Sequence, residues 1–292
     1  MNHDSLRFKL SCIRTLLEKA SADAILFVSS FNIIWSVGLN IDDSIVVATK
    51  NKIFLLVDKR SFSYCKKILN PKITLLPYDS IKSLKQVLTK NSIKTLIIEN
   101  DYLTFQQYEY IVKPLQVKII RVDTKPLRIV KTLEELRYLE KAADIAVNAI
   151  NKTRKWLKVG VSELEVKNYL HNLRIQDGAS AMSFDLIVAF GINTANPHHK
   201  SENTVLKNNS LVTIDIGCIY NNYCSDITRS FFFGNKPNKA QRHMYDLVFK
   251  AQQLGLKTAK VGLTGAYIDK KVRDFILKDK VYGKLFVHGL GH

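Results

Sequence analysis

Lys158-Val159-Gly160-Val161-Ser162 returns 102 residues later as Lys260-Val261-Gly262-Leu263-Thr264. The match continues at the same offset, where Val166, Leu170 and Leu173 correspond to Ile268, Val272 and Phe275. These apolar positions recur at the spacing of one helix face. Ser162 and Thr264 each stand where a helix N-cap is expected, and in the first copy Glu165 adds a capping box. The repeated unit therefore reads helix, Gly turn, capped helix, strand, and two copies of one unit are expected to fold alike. In the first copy a strand at 186–190 leads through a loop to a hairpin, 211–219 and 223–233. In the second, a strand at 285–288 is expected, and a matching hairpin would lie about 102 residues beyond the first, past His292. On this reading the second half is truncated and the chain is a fragment.

Ahead of the repeat the pattern changes. Leu6, Leu10, Ile13, Leu16 and Leu17 recur at helical spacing, and an apolar run at 24–28 follows. Runs at 45–48 and 53–57 flank Lys50-Asn51-Lys52 and predict a hairpin. Further strands are expected at 73–76, 95–98 and 118–121, separated by helical patterns at 61–69, 80–88 and 104–112. The alternation is that of an α/β domain. Pro126 then precedes a charged helix running from about 132 to about 157, which places a boundary near residue 125. Residues 1–125 and 126–292 are the two expected domains, and 292 residues with 46% hydrophobic content are enough for two cores.

Lys and Arg number 44 against 26 Asp and Glu, a formal charge of +18. The basic residues are spread along the chain, and the longest basic strings are pairs such as Lys66-Lys67 and Lys270-Lys271. No stripe offers itself to nucleic acid, and the abundance of Lys, Asn and Ile matches an AT-rich coding bias. No apolar run approaches the roughly 18 residues of a membrane span, and positions 1–10 carry no secretory pattern. A cytoplasmic protein with neither a nucleic-acid nor a membrane partner is expected. Cys12, Cys65, Cys218 and Cys224 make no CxxC spacing and are expected as free thiols, most of them buried.

The first hairpin carries the chemistry. Asp215 lies within Thr213-Ile214-Asp215-Ile216-Gly217 and Asp226 within Ser225-Asp226-Ile227-Thr228-Arg229. A carboxylate inside an apolar strand is costly to bury without a partner. With the turn around 220–222, the two aspartates come opposite one another, about 5 Å apart on one face of the sheet. There they repel unless a cation lies between them. A pair of metal ions bridged by carboxylate oxygens meets that demand; the alternative is Asp226 paired with Arg229 and Asp215 facing solvent. On the same register Cys218 and Cys224 lie on opposite faces, so core packing is the expectation for both. Histidine is the second signal: His198 and His199 follow Pro197 in the loop before the hairpin, and His288-Gly289-Leu290-Gly291-His292 comes last. Imidazole with carboxylate is a ligand set for Mn, Co, Fe or Zn. His171 and His243 lie on expected helices and receive no role.

Phe184-Asp185-Leu186-Ile187-Val188-Ala189, Asn196-Pro197-His198-His199, Asp215 with Asp226 eleven residues on, and the closing His-Gly-Leu-Gly-His resemble the Xaa-Pro aminopeptidase and prolidase family. The resemblance extends over essentially the whole chain. It implies a creatinase-type, ribonuclease-H-like α/β amino-terminal domain followed by an α+β pita-bread metallopeptidase domain. It implies two divalent ions, Mn(2+) first, with Co(2+), Zn(2+) or Fe(2+) as alternatives, held by Asp215, Asp226 and His292. His198 matches the histidine that contacts substrate and helps a proton reach the leaving nitrogen, and His288 matches a histidine near the substrate that is not a ligand. Both are expected in catalysis and substrate binding.

The activity implied is release of the residue before proline from a proline-containing peptide, by hydroxide held between two ions, in a homodimer. Xaa-Pro dipeptidase is the alternative within the family. The family's two glutamate ligands, one of them the general base, have no positions in this sequence. A polypeptide ending at His292 is therefore expected to bind Mn weakly and not to hydrolyse Xaa-Pro bonds. An inactive pita-bread or binding protein is the competing class.

Overall fold

The computed structural model describes residues 1–291. The chain divides into two compact units, Met1–Asn151 with His171–Asp185 and Ile216–Ile227, and Lys152–Leu170 with Leu186–Asp215 and Thr228–His292.

The first unit opens with α1 (His3–Lys19), capped by Asn2, whose side chain accepts the Ser5 N–H. A six-stranded mixed sheet follows, built from β1 (Ala24–Phe27), β2 (Ile45–Thr49), β3 (Ile53–Val57), β4 (Thr74–Pro77), β5 (Thr95–Glu99) and β6 (Lys118–Val122) in the order β4-β3-β2-β1-β5-β6. The expected hairpin is β2–β3, antiparallel with Ile45 across from Leu56. Strands buried on both faces read as continuous apolar runs. Ile25, Phe27, Val46, Ala48 and Leu55 face a core with Leu6, Ile13 and Leu17 of α1. Ala24, Leu26, Val47, Phe54 and Leu56 face the opposite core.

The intervening helices are α2 (Ser30–Val37), α3 (Lys59–Ile68), α4 (Ile81–Lys90) and the short α5 (Phe105–Gln107), which runs on into a π-helical turn. Of these, α2 was not expected. It is only two turns long, starts at a Ser29 cap and ends at Gly38 in the left-handed region, so periodicity has little room to show.

The long helix α6 (Leu133–Trp156) follows, with α7 (Glu163–Gln176) after the first Gly turn. Thr132 and Glu135 form a reciprocal capping box at the start of α6. The first unit is completed by a small sheet, β11-β10-β7, of β7 (Ala181–Met182), β10 (Cys218–Tyr220) and β11 (Tyr223–Cys224).

In the second unit, β8 (Ile187–Phe190), β9 (Ser210–Ile216) and β12 (Ile227–Phe233) make a sheet in the order β12-β9-β8. Ile187 pairs with Asp215 and Phe190 with Val212. Helices α8 (Lys239–Thr258) and α9 (Gly265–Ile276) form the second copy of the helical repeat. The repeat holds in backbone detail. Ser162 caps α7 with Glu165 closing the box, and Thr264 caps α9. Gly160 and Gly262 share the same conformation, φ 92° and 90°, which only glycine adopts without strain.

The strand expected at 285–288 is not formed. A 3-10 turn occupies Gly283–Leu285, and the carbonyls of Phe286 and His288 accept from the Arg273 guanidinium rather than from a neighbouring strand.

Candidate active site

Asp215 arises where the alternation of β9 breaks chemistry but not geometry. Val212, Ile214 and Ile216 are buried, while Thr213 and Asp215 point to the other, half-exposed face. On that face the Thr228 hydroxyl donates to Asp215 Oδ1 at 2.6 Å, and Thr213 meets Ser230 at 2.9 Å. The side chain that meets Asp215 across the strands is thus Thr228, not the directly opposed Asp226 of the sequence expectation. The turn explains the change. Tyr220 pairs with Tyr223, and Asn221-Asn222 forms a two-residue tip with both φ values positive. Asparagine tolerates that conformation, and such turns match the twist of a hairpin. The tip lies one position later than direct pairing of Asp215 with Asp226 requires, which moves every pairing by two.

Asp226 belongs to the first unit and is exposed. Ser225, immediately before it, is pinned: its hydroxyl donates to the Ala142 carbonyl at 2.9 Å and accepts the Cys218 N–H at 3.1 Å. Arg229 donates to the Thr228 carbonyl. The cysteine expectation needs correcting. All four thiols are free, but only Cys65 and Cys218 are buried, and Cys224 is exposed. An edge position beside a two-residue turn leaves its side chain in solvent.

His198 is exposed on the loop after β8. Its backbone N–H donates to Asn196 Oδ1 at 3.0 Å, and the His199 N–H donates to the Asn196 carbonyl at 3.1 Å. His199 is turned the other way, with Nε2 2.7 Å from Glu163 Oε2. Glu163 is the first residue of α7 and fully buried. It also accepts the N–H groups of Phe190 and Glu202 and the side-chain amide of Asn193, at 2.8, 3.0 and 3.0 Å.

Glu163, His199 and Glu202 bring ligand atoms within 4.8 Å of one another and have the donor types of a metal group. The hydrogen bonds argue against one. Each Glu163 oxygen already receives two N–H donors, two of them backbone groups that cannot turn away, so a cation there would face their hydrogens.

His288 is exposed, stacks edge-on against Phe286 and places Nδ1 2.7 Å from the Gly289 carbonyl. The segment is tied to α9. Arg273 donates to the Phe286 and His288 carbonyls, and Asp269 accepts from Arg273 and from the Leu290 N–H at 2.8 Å. The guanidinium, and then the Leu290 N–H, hold the Asp269 carboxyl below its ordinary value. His292 lies outside the described residues.

Two family models divide the chain between them. The Creatinase/Prolidase N-terminal domain matches residues 9–138, and metallopeptidase family M24 matches residues 137–292. The chain belongs to metallopeptidase family M24.

Among relatives of this M24 chain, a Mycoplasma genitalium protein provisionally named Xaa-Pro aminopeptidase is 35% identical over 98% of this chain and 81% of its own length. An Xaa-Pro dipeptidase from Bacillus anthracis superposes with a TM-score of 0.91 at 30% identity, over 98% of this chain and 81% of that one. An X-Pro aminopeptidase from Thermotoga maritima gives 0.85 at 29%, over 94% and 80%. The creatinase-type and pita-bread fold expected from the sequence is the fold of this M24 chain.

The family implies divalent metal ions, and Asp215 suits them: a half-exposed carboxylate, oriented by one hydroxyl, is the hard oxygen donor such ions take. Membership of M24 also makes the protein a metallo-exopeptidase. Among the described residues no helix is long and apolar enough to cross a membrane. Sequence reasoning gave no role to Glu163, Thr228, Asp269 or Arg273. Only the last pair left a mark, as an acid and a base four residues apart on one helix face.

Proposed function

We propose that the protein is an Xaa-Pro aminopeptidase, releasing the residue before proline from peptides, with Asp215, Asp226 and His292 as ligands of two divalent ions, Mn(2+) by preference. When bound, the ions supply an activated water and polarise the scissile carbonyl. The chain's own residues do the rest. Thr228 orients the Asp215 carboxylate by donating its hydroxyl to Oδ1. The nitrogen that leaves from an Xaa-Pro bond is tertiary and must gain a proton. His198, exposed on its loop, contacts the substrate and passes a proton to that nitrogen. His288 lines the substrate side on a segment tied to Arg273 and Asp269.

The observation that carries this reading is likeness over the whole chain to proteins named for Xaa-Pro bonds, with the M24 match running from 137 to 292 and so over all five residues. It does not favour an inactive or binding protein. The protein acts in the cytoplasm as a homodimer, without nucleic-acid or membrane partners, and its domain boundary falls near residue 125.

The test is cleavage of a Gly-Pro-Ala tripeptide and a Gly-Pro dipeptide by the Mn-supplemented intact gene product. Glycine release from the tripeptide is expected, lost on chelation and restored by Mn(2+). Asp215→Asn should lower turnover more than about 100-fold, since even outer partners of metal ligands cost 10–100-fold. Cleavage confined to the dipeptide would make the protein a prolidase, and turnover indifferent to chelation would overturn the metal assignment.

A further inference from the structure

We infer that Glu163 and His199 are a positioning pair that sets the place of His198; this rests on the reading of His198 as the histidine that meets the substrate. One carboxylate gathers a whole loop. Glu163 Oε1 accepts from Phe190, the last residue of β8, and from Asn193, while Oε2 accepts from the His199 ring and from the Glu202 N–H. The residues bonded to it thus begin, interrupt and end the stretch 190–202.

The carboxylate itself cannot wander. It is fully buried, it sits at the amino end of α7 where the helix dipole favours a negative group, and its backbone N–H donates to the Thr204 carbonyl at 3.0 Å. His198 is one residue from the ring that Glu163 holds. On its other side, its N–H and that of His199 both bond to Asn196. The exposed imidazole is therefore carried between two fixed points, although among the described residues none bonds to its ring.

Such an arrangement lowers the number of places the imidazole must search before it meets the leaving nitrogen. A misplacement of about 1 Å in a catalytic group can cost on the order of 100-fold in rate. His199 thus acts through its neighbour, not on the substrate. Its ring is about nine-tenths buried against Glu163.

The test separates position from chemistry by hydrogen exchange and a double-mutant cycle. In the metal-free protein, amides of 196–202 should exchange about tenfold faster in His199→Ala than in wild type, with α6 and α8 unchanged. Turnover of Gly-Pro-Ala by the intact gene product should fall between about 10- and 100-fold in kcat, with KM within twofold and Mn(2+) affinity unchanged. His199→Gln, whose amide can donate from nearly the same place, should recover most of both. The double variant with His198→Ala should lose no more than His198→Ala alone. Unchanged exchange in His199→Ala, or losses that multiply in the double variant, would overturn the positioning role. If His198→Ala alone keeps wild-type turnover although the loop loosens in His199→Ala, the reading of His198 fails, and the positioning role with it.

Discussion

Lys9 is 2% exposed, and its ammonium lies 3.2 Å from Glu135 and above the Trp35 ring. Burial outweighs Glu135 and the more weakly acting Glu134, and pushes the Lys9 pKa down. Burial works upward on Glu135 as well, but the Thr132 N–H, the Lys9 charge and the Tyr223 hydroxyl overcome it and hold the carboxyl below its ordinary 4.5. The two partners differ because Glu135 has three donors and Lys9 has one acceptor. A carboxyl depressed in the folded state stabilises above its unfolded value, and that contribution goes as acid titrates the folded group. Glu135→Gln should therefore cost about 3 kcal/mol at neutral pH. Melting curves of wild type and variant should converge as the pH falls below 4.5. A gap that persists in acid would assign the loss to packing instead of charge. At the active site the same scale explains what the sequence could show. Asp215 was legible because an acid in an alternating apolar strand needs a reason. Glu163 was not, since an acid in the first turn of a helix is ordinary, and only the folded loop reveals four donors on it.

Elements were legible where a period had length to declare itself. The first six strands fall within two residues of their expected ends, and α6 within one. The failures have physical causes: α2 is two turns long, and 285–288 reads apolar yet has the Phe286 and His288 carbonyls taken by Arg273. The repeat was legible because its turn demands glycine, and the hairpin register was not, because one position at the tip decides it. Two substitutions separate the reasons a glycine is present. At Gly160 an added methyl meets nothing within 4 Å, so alanine should cost only the left-handed backbone, about 1 kcal/mol. At Gly217, between Asp215 and Cys218, the methyl would lie 1.9 Å from Ser183 Oγ and 2.2 Å from the Ser225 carbonyl. Alanine there should cost about 3 kcal/mol and break the 2.7 Å bond from Ser183 to Ser225. Thermal melts of the two variants rank these costs, and the reverse order would refute both assignments.

The molecule as a whole carries a formal charge of +18. Acids are engaged locally, in pairs such as Arg242 with Asp246 and Lys270 with Asp274. The surplus cations are left to repel one another over the surface. Dispersed repulsion has a range set by the Debye length, about 30 Å at 0.01 M salt and about 8 Å at 0.15 M. Raising salt over that interval should therefore stabilise the fold. Each kcal/mol relieved should raise the melting temperature by about 2–4 °C. Chloride and sulfate should act alike at matched ionic strength, because screening does not distinguish anions whereas a built anion site does. A large, saturable rise in melting temperature with micromolar heparin would contradict the dispersed reading and restore a polyanion to the list of partners.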